Sequence, residues 1–138
     1  MAHLTYERCT PVMIVERVEP TRDFFRDRLG FVQTMEVPHG DGLGFVTLEK
    51  DSVEIMVQSR ASVEADAGPD ALARMDETIG RRGAVTLYLQ VSDVDVVIPQ
   101  LADADVLLPP RKTFYGTHEI TVLEPGGHAV TFASTLSS

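Results

Sequence analysis

Residues 15–18, "VERV", are matched by "VSDV" at 91–94, and "VEIMVQS" at 53–59 is matched by "VTFAS" at 130–134. The offset is 76 residues from Thr10 to Thr86 and 77 from Glu54 to Thr131. A near-constant spacing across separate stretches predicts a duplicated unit. Each copy reads strand, helix, three strands. One helix can cover one face of such a sheet. The other face needs the second unit, a partner chain or a ligand against it.

In the first copy, "TPVMIV" (10–15) reads as a short strand, with Pro11 tolerated near its start. A helix is predicted over 19–30. Pro20 suits the first helical position and Gly30 the residue past the end, with Phe24, Phe25 and Leu29 as an apolar stripe. "FVQTMEV" (31–37) alternates as a strand, and "LGFVTLEK" (43–50) and "SVEIMVQ" (52–58) form a hairpin around Asp51. In the second copy, "AVTLYLQV" (84–91) puts Val85, Leu87, Leu89 and Val91 on one face and Thr86, Tyr88 and Gln90 on the other. A helix over 92–103 is capped by Ser92 or Asp93, and Pro99 should kink it. "DVLLPP", "HEITVLE" and "HAVTFAS" are the remaining strands. The fold expected is α+β, with two βαβββ modules at about 8–59 and 84–135. A partly helical linker, 60–83, joins them, with Ala71, Leu72, Met75 and Ile79 on one side of its helix.

A chain of 138 residues favours a single domain able to bury its own core. The net charge of −9 and the few, acid-interspersed basic clusters argue against nucleic acid and anionic membranes as partners. No apolar run approaches the roughly 20 residues of a membrane helix. The N-terminal "MAHLTYERC" has no signal-peptide core, so a cytoplasmic location is expected. The one cysteine, Cys9, reads as a half-buried small residue.

"RDFFRDRLGF" (22–31), "TLYLQVSDVD" (86–95) and "TFYGTHEITVLEPGGHAVTF" (113–132) resemble the vicinal oxygen chelate superfamily. That group holds glyoxalase I, extradiol dioxygenases, and fosfomycin- and bleomycin-resistance proteins. The last stretch is similar to the "YG…E…DP-G-(N/H)" signature of the bleomycin-resistance-like branch, with Glu124 in place of the usual Asp. The resemblance implies a cupped sheet, shared in many relatives between two chains, so a homodimer is expected. Metal-using members carry ligands early in each module's first strand and on each module's last strand. Those positions fall on Thr10, Glu54, Thr86 and Thr131. One carboxylate and three hydroxyls make a poor divalent site. No metal and no cofactor are therefore expected.

Several residues are candidates to line the cup. Glu54 either pairs with a ligand amine or acts as a lone base, or it is simply hydrogen-bonded to an arginine or to the threonines. Met56 shares its parity and suits an adaptable pocket. Thr86, Tyr88 and Thr131 fit a polar lining. Tyr115 is expected to stack on a ligand, with Phe114 in the core, and Glu119 to line the cup or hold a turn. None of the histidines, His3, His39, His118 and His128, falls at a ligand position, and His128 reads as structural. Three functions remain open. The first is a metal-free binding protein for a small apolar or cationic molecule, such as an antibiotic. The second is a lyase, isomerase or dioxygenase using Glu54 as base or in an atypical metal site. The third is a structural dimer module with a vestigial cup.

Overall fold

The computed structural model describes residues 4–78 and 86–136. Ile79, Val85 and His3 lie outside them. The first module comprises β1 (Val12–Val15), α1 (Val18–Asp23), β2 (Val32–His39), β3 (Gly42–Lys50) and β4 (Val53–Ser59). Two helices follow, α2 (Arg60–Ala67) and α3 (Pro69–Thr78). The second module comprises β5 (Leu87–Gln90), α4 (Val94–Gln100), β6 (Asp105–Lys112), β7 (Thr117–Leu123) and β8 (Ala129–Thr135). The architecture is α+β. The sheets have the same order, β1-β4-β3-β2 and β5-β8-β7-β6. In each, the first strand runs parallel to the last and the other pairings are antiparallel.

Alternation along the strands builds the core. Met13, Val15, Val46, Leu48, Ile55 and Val57 face one way in the first sheet, as do Leu87, Ile120, Val122, Val130 and Phe132 in the second. They join Phe24, Phe25, Leu29, Val94, Val97 and Leu101 in one continuous apolar cluster. Every residue of β6 is exposed, and Pro109 and Pro110 interrupt its pairing with β7. Proline is tolerated there because this strand is an edge. None of the described helices is long and apolar enough to cross a membrane.

The helix expected over 19–30 is built differently. α1 gives way to a π-helical turn at Phe24–Arg28, and Pro20 is its third residue rather than its first. The wider turn rotates Leu29 to lie between Phe24 and Phe25, so all three are buried. Phe25 then meets Phe24 and Phe31 edge-on, at 5.3 Å between centroids in both pairs. Gly30 closes the helix at φ +77°, as its position predicts. Pro99 falls inside α4 near its end. It lies in the last turn, and the helix ends one residue later at Gln100. Asp93 is the cap: its Oδ1 accepts from the Asp95 amide at 2.9 Å, while Ser134 Oγ accepts from the Val94 amide at 3.0 Å.

One buried carboxylate ties the modules together. Glu124, in the "LEPGGH" turn between β7 and β8, is 1% exposed. It accepts from Thr21 Oγ1 on α1 at 2.6 Å, from the amides of Gly126 and His128 at 2.7 and 2.9 Å, and sits 2.8 Å from His128 Nδ1. Gly126 lets this turn approach the first module. A Cβ there would lie 2.5 Å from Val15 Cγ1 and 2.6 Å from Thr21 Oγ1. Burial pushes the Glu124 carboxyl up, but the side chains of His128 and Thr21 and the two amides outweigh it and hold it below its ordinary value. Its contribution to stability is thus full above the ordinary carboxyl range and is lost as pH falls through the lowered folded value.

Glu124→Gln, which keeps the shape but removes the charge, should lower the unfolding free energy at pH 7 by about 3 kcal/mol. Urea melts at pH 7 and in acid should show the variant losing less stability on acidification than the parent. An equal acid loss in both would show that Glu124 does not govern it.

Candidate functional site

The strand faces turned away from α1 and α4 are the candidate site, with α2 touching one end of the first through Ser62 and Gln58. On the first sheet this face carries Met35 from β2, Phe45 and Thr47 from β3, and Glu54, Met56 and Gln58 from β4, with Thr10 just ahead of β1. Glu54 is engaged by its own chain: Thr10 Oγ1 donates to its Oε1 at 2.9 Å, and Arg8 Nη1 lies 3.7 Å from Oε2. Of the uses read from the sequence, this is the hydrogen-bonded one.

The second face is organised around Glu119. This carboxylate is 4% exposed. Tyr88 from β5, Tyr115 from the β6–β7 turn and Thr117 from β7 all donate to it, at 3.0, 3.0 and 2.7 Å. Arg111 stands 3.8 Å away on the neighbouring strand. Burial acts to raise the Glu119 pKa, but the three hydroxyls, with the charge of Arg111, outweigh it and hold the group ionised below the usual range. The same contact raises the Tyr88 phenol, first through burial and then through the adjacent carboxylate. The two tyrosine rings stay half open, at 50% and 51% exposure. Phe114 is not core: it is wholly exposed and edge-on to Tyr115 at 5.1 Å. Phe114 and Tyr115 are the central residues of the turn closed by the Gly116 amide on the Thr113 carbonyl, and a side chain at the tip of such a turn projects into solvent. Beside this cluster Thr121 and Thr131 share a hydroxyl–hydroxyl bond of 2.7 Å, both buried.

The equivalence of Glu54 and Thr131 drawn from the sequence is not the structural one. Counted back from the first helical residues, Val18 and Val94, Val12 corresponds to Tyr88. Val12 pairs with Met56 and Tyr88 with Thr131, so Thr131 takes the place of Met56. Two residues earlier on the same face, the counterpart of Glu54 is Ala129. Loops of unequal length between the strands change the offset within each module, so one constant does not carry from first strand to last. Thr86 stays on the expected face and is exposed.

The four positions implied by the resemblance thus fall on Thr10, Glu54, Thr86 and Ala129. Their one carboxylate is already bonded, two are neutral hydroxyls and one has no donor atom. This set does not fit a divalent ion. Among the described residues, no three His, Cys, Asp or Glu side chains are grouped to hold one. Of the histidines, His118 is half-buried with Nδ1 3.7 Å from Asp95, His39 is exposed at the end of β2, and His128 belongs to the Glu124 network.

Sequence reasoning selected Tyr88, Tyr115 and Glu119 separately but did not join them, and it missed Thr47, Arg111, Thr117 and Thr121. Alternation along "THEITV" puts Thr117, Glu119 and Thr121 on one face, and that signal could have found two of them.

A family model for the Glyoxalase/Bleomycin resistance protein/Dioxygenase superfamily matches residues 2–132. No curated protein sequence matches the chain. Among solved structures, a glyoxalase/bleomycin resistance protein/dioxygenase from Nocardioides superposes with a TM-score of 0.72 at 19% identity, over 99% of this chain and 88% of its own. TioX from Micromonospora sp. ML1 gives 0.69 at 18% identity, over 95% and 100%. A lactoylglutathione lyase from Agrobacterium tumefaciens gives 0.68 at 16%, over 94% of both chains. At these identities the likeness is one of fold.

Carboxyl-carbon NMR tests the Glu119 cage. Thr117→Val should move the Glu119 titration midpoint upward, because it removes the shortest of the three donors. A midpoint that does not move would mean the hydroxyl does not support the charge.

Proposed function

We propose that this chain, which belongs to the Glyoxalase/Bleomycin resistance protein/Dioxygenase superfamily, binds a small apolar or cationic molecule on its open strand faces without a metal. The observation that carries this reading is the Glu119 cluster. An ionised carboxylate is fixed between two half-open tyrosine rings, each pinned through its hydroxyl. Rings held this way offer flat apolar surface at little further entropic cost, and a cation over them gains from both the π-faces and the carboxylate. The first face adds Met56, Met35 and Phe45, adaptable and apolar, with a second acid at Glu54. The net charge of −9 favours the approach of a cation.

The donor set argues against the alternative chemistry. Glu54 already accepts a proton-bearing hydroxyl from Thr10, which is a poor start for a general base. A site that holds a flat cation and does nothing to it suits sequestration of a toxic compound such as an antibiotic. Each open face of one protomer is a half-cup, and pairing of two copies closes it. Val32, Met35 and Val37 on β2 and Leu107 and Leu108 on β6, all exposed, supply apolar surface for that contact.

9-Aminoacridine, a planar cation, should bind the protein in equilibrium dialysis, and Tyr115→Ala or Tyr88→Ala should weaken it about tenfold. Glu119→Gln should weaken this cation more than neutral acridine. Protein purified without chelator should carry less than stoichiometric zinc, nickel, manganese or iron. Stoichiometric metal that disappears in Glu54→Ala would overturn the reading.

A further inference from the structure

The two faces share one strand position that is treated differently in each. Thr47 on β3 is the counterpart of Thr121 on β7: Thr47 pairs with Met56, and Thr121 pairs with Thr131, the residue in the place of Met56. In the second module the two threonine hydroxyls satisfy one another at 2.7 Å. In the first, the residue opposite is Met56, which has no hydroxyl. Thr47 Oγ1 is buried, the residue 5% exposed, and has no hydrogen-bond partner. It is the one such buried side-chain atom among the described residues. A buried hydroxyl without a partner is costly, and proteins rarely keep one without a reason.

We infer that Thr47 is the polar anchor of the ligand on the first face, donating a hydrogen bond to a carbonyl oxygen of a flat, otherwise apolar molecule. This rests on the reading of the open faces as a binding site and adds to it the chemical class of the ligand. Thr10 gives its proton to Glu54, and Tyr88, Tyr115 and Thr117 give theirs to Glu119. The hydroxyl of Thr47 has neither an acceptor for its proton nor a donor to its oxygen within the protein, and a carbonyl can take that proton without bringing a further polar hydrogen into an apolar setting. Its surroundings set the rest of the ligand. Met56 and Met35 are its cross-strand neighbours and Phe45 lies two residues along the same strand, all turned to the same face. Such a setting takes a polarisable aromatic body around a single polar atom.

The probes are 9-fluorenone and fluorene, two flat hydrocarbons of one shape that differ in the carbonyl, measured by equilibrium dialysis. The parent protein should bind the ketone about tenfold more tightly than the hydrocarbon. Thr47→Val, of the same shape, should bring the two to equal affinity, and Thr47→Ser should keep the preference. Without ligand, Thr47→Val should melt at the same temperature as the parent or a few degrees higher, since it removes an unsatisfied group. A lower melting temperature would show that the hydroxyl has a partner within the fold, and the inference would fall. A change in association state on sedimentation, in place of a lost preference, would assign the hydroxyl to a subunit contact and overturn it equally. If both probes bind with the same ratio in parent and Thr47→Val, or equally well to the parent, the anchor is wrong and the binding face stands. If neither probe binds, and 9-aminoacridine does not either, the binding face itself is wrong and the anchor goes with it.

Discussion

Each module must cover four strands with one helix, and that shortage of cover shapes the whole molecule. α1 and α4 bury one side of their sheets in a common core, and on the other side α2 reaches only one end of the first sheet, where Gln58 Nε2 donates to Ser62 Oγ. Those sides are nevertheless neither wholly polar nor wholly apolar. They carry methionines, aromatic rings, threonines and acids that include Glu49, Glu54 and Glu119, a mixed composition that suits the proposed ligand surface. Glu124 keeps the two halves in one arrangement, because it accepts from α1 of the first module while it closes a turn of the second.

The two open faces have diverged in how each keeps its acid. Glu54 leans on one threonine and a distant arginine, whereas Glu119 is enclosed by three hydroxyls and remains charged despite burial. The second arrangement costs the two tyrosines their freedom and leaves their rings exposed in fixed positions. A charge buried this way is stabilised only if its donors stay in place, so the cluster acts as a unit, and truncating any member should disturb the others.

Much of the fold was legible because it follows from local pattern. Strict alternation in "TLYLQV" separates Leu87 and Leu89 from Tyr88 and Gln90, and the caps at Asp93 and Gly30 need only neighbours in sequence. The features that were not legible depend on distant partners or on loop length. The π-helical turn at Phe24–Arg28 is chosen by packing against the sheet rather than by helix propensity. Glu124 reads as a turn residue until Thr21, 103 residues away, is placed against it. The register of β8 against β5 is decided by the length of the preceding loops, so a constant sequence offset equates Thr131 with Glu54 where the strand pairing equates it with Met56. The residues of the candidate site were legible one at a time. Their assembly around Glu119 requires β5, β7 and the turn before β7 to meet, which periodicity alone does not state.

The claim that the strand faces away from the helices are the binding surface has one direct test. The chain has five methionines, of which Met35 and Met56 lie on the first open face, Met13 is in the core and Met75 is on α3. In protein labelled with carbon-13 at the methionine methyls and the tyrosine rings, titration with 9-aminoacridine should shift the Tyr88 and Tyr115 resonances and leave Met13 and Met75 in place. Shifts at Met75 or Met13 with Tyr88 and Tyr115 unmoved would put the ligand elsewhere and contradict the account.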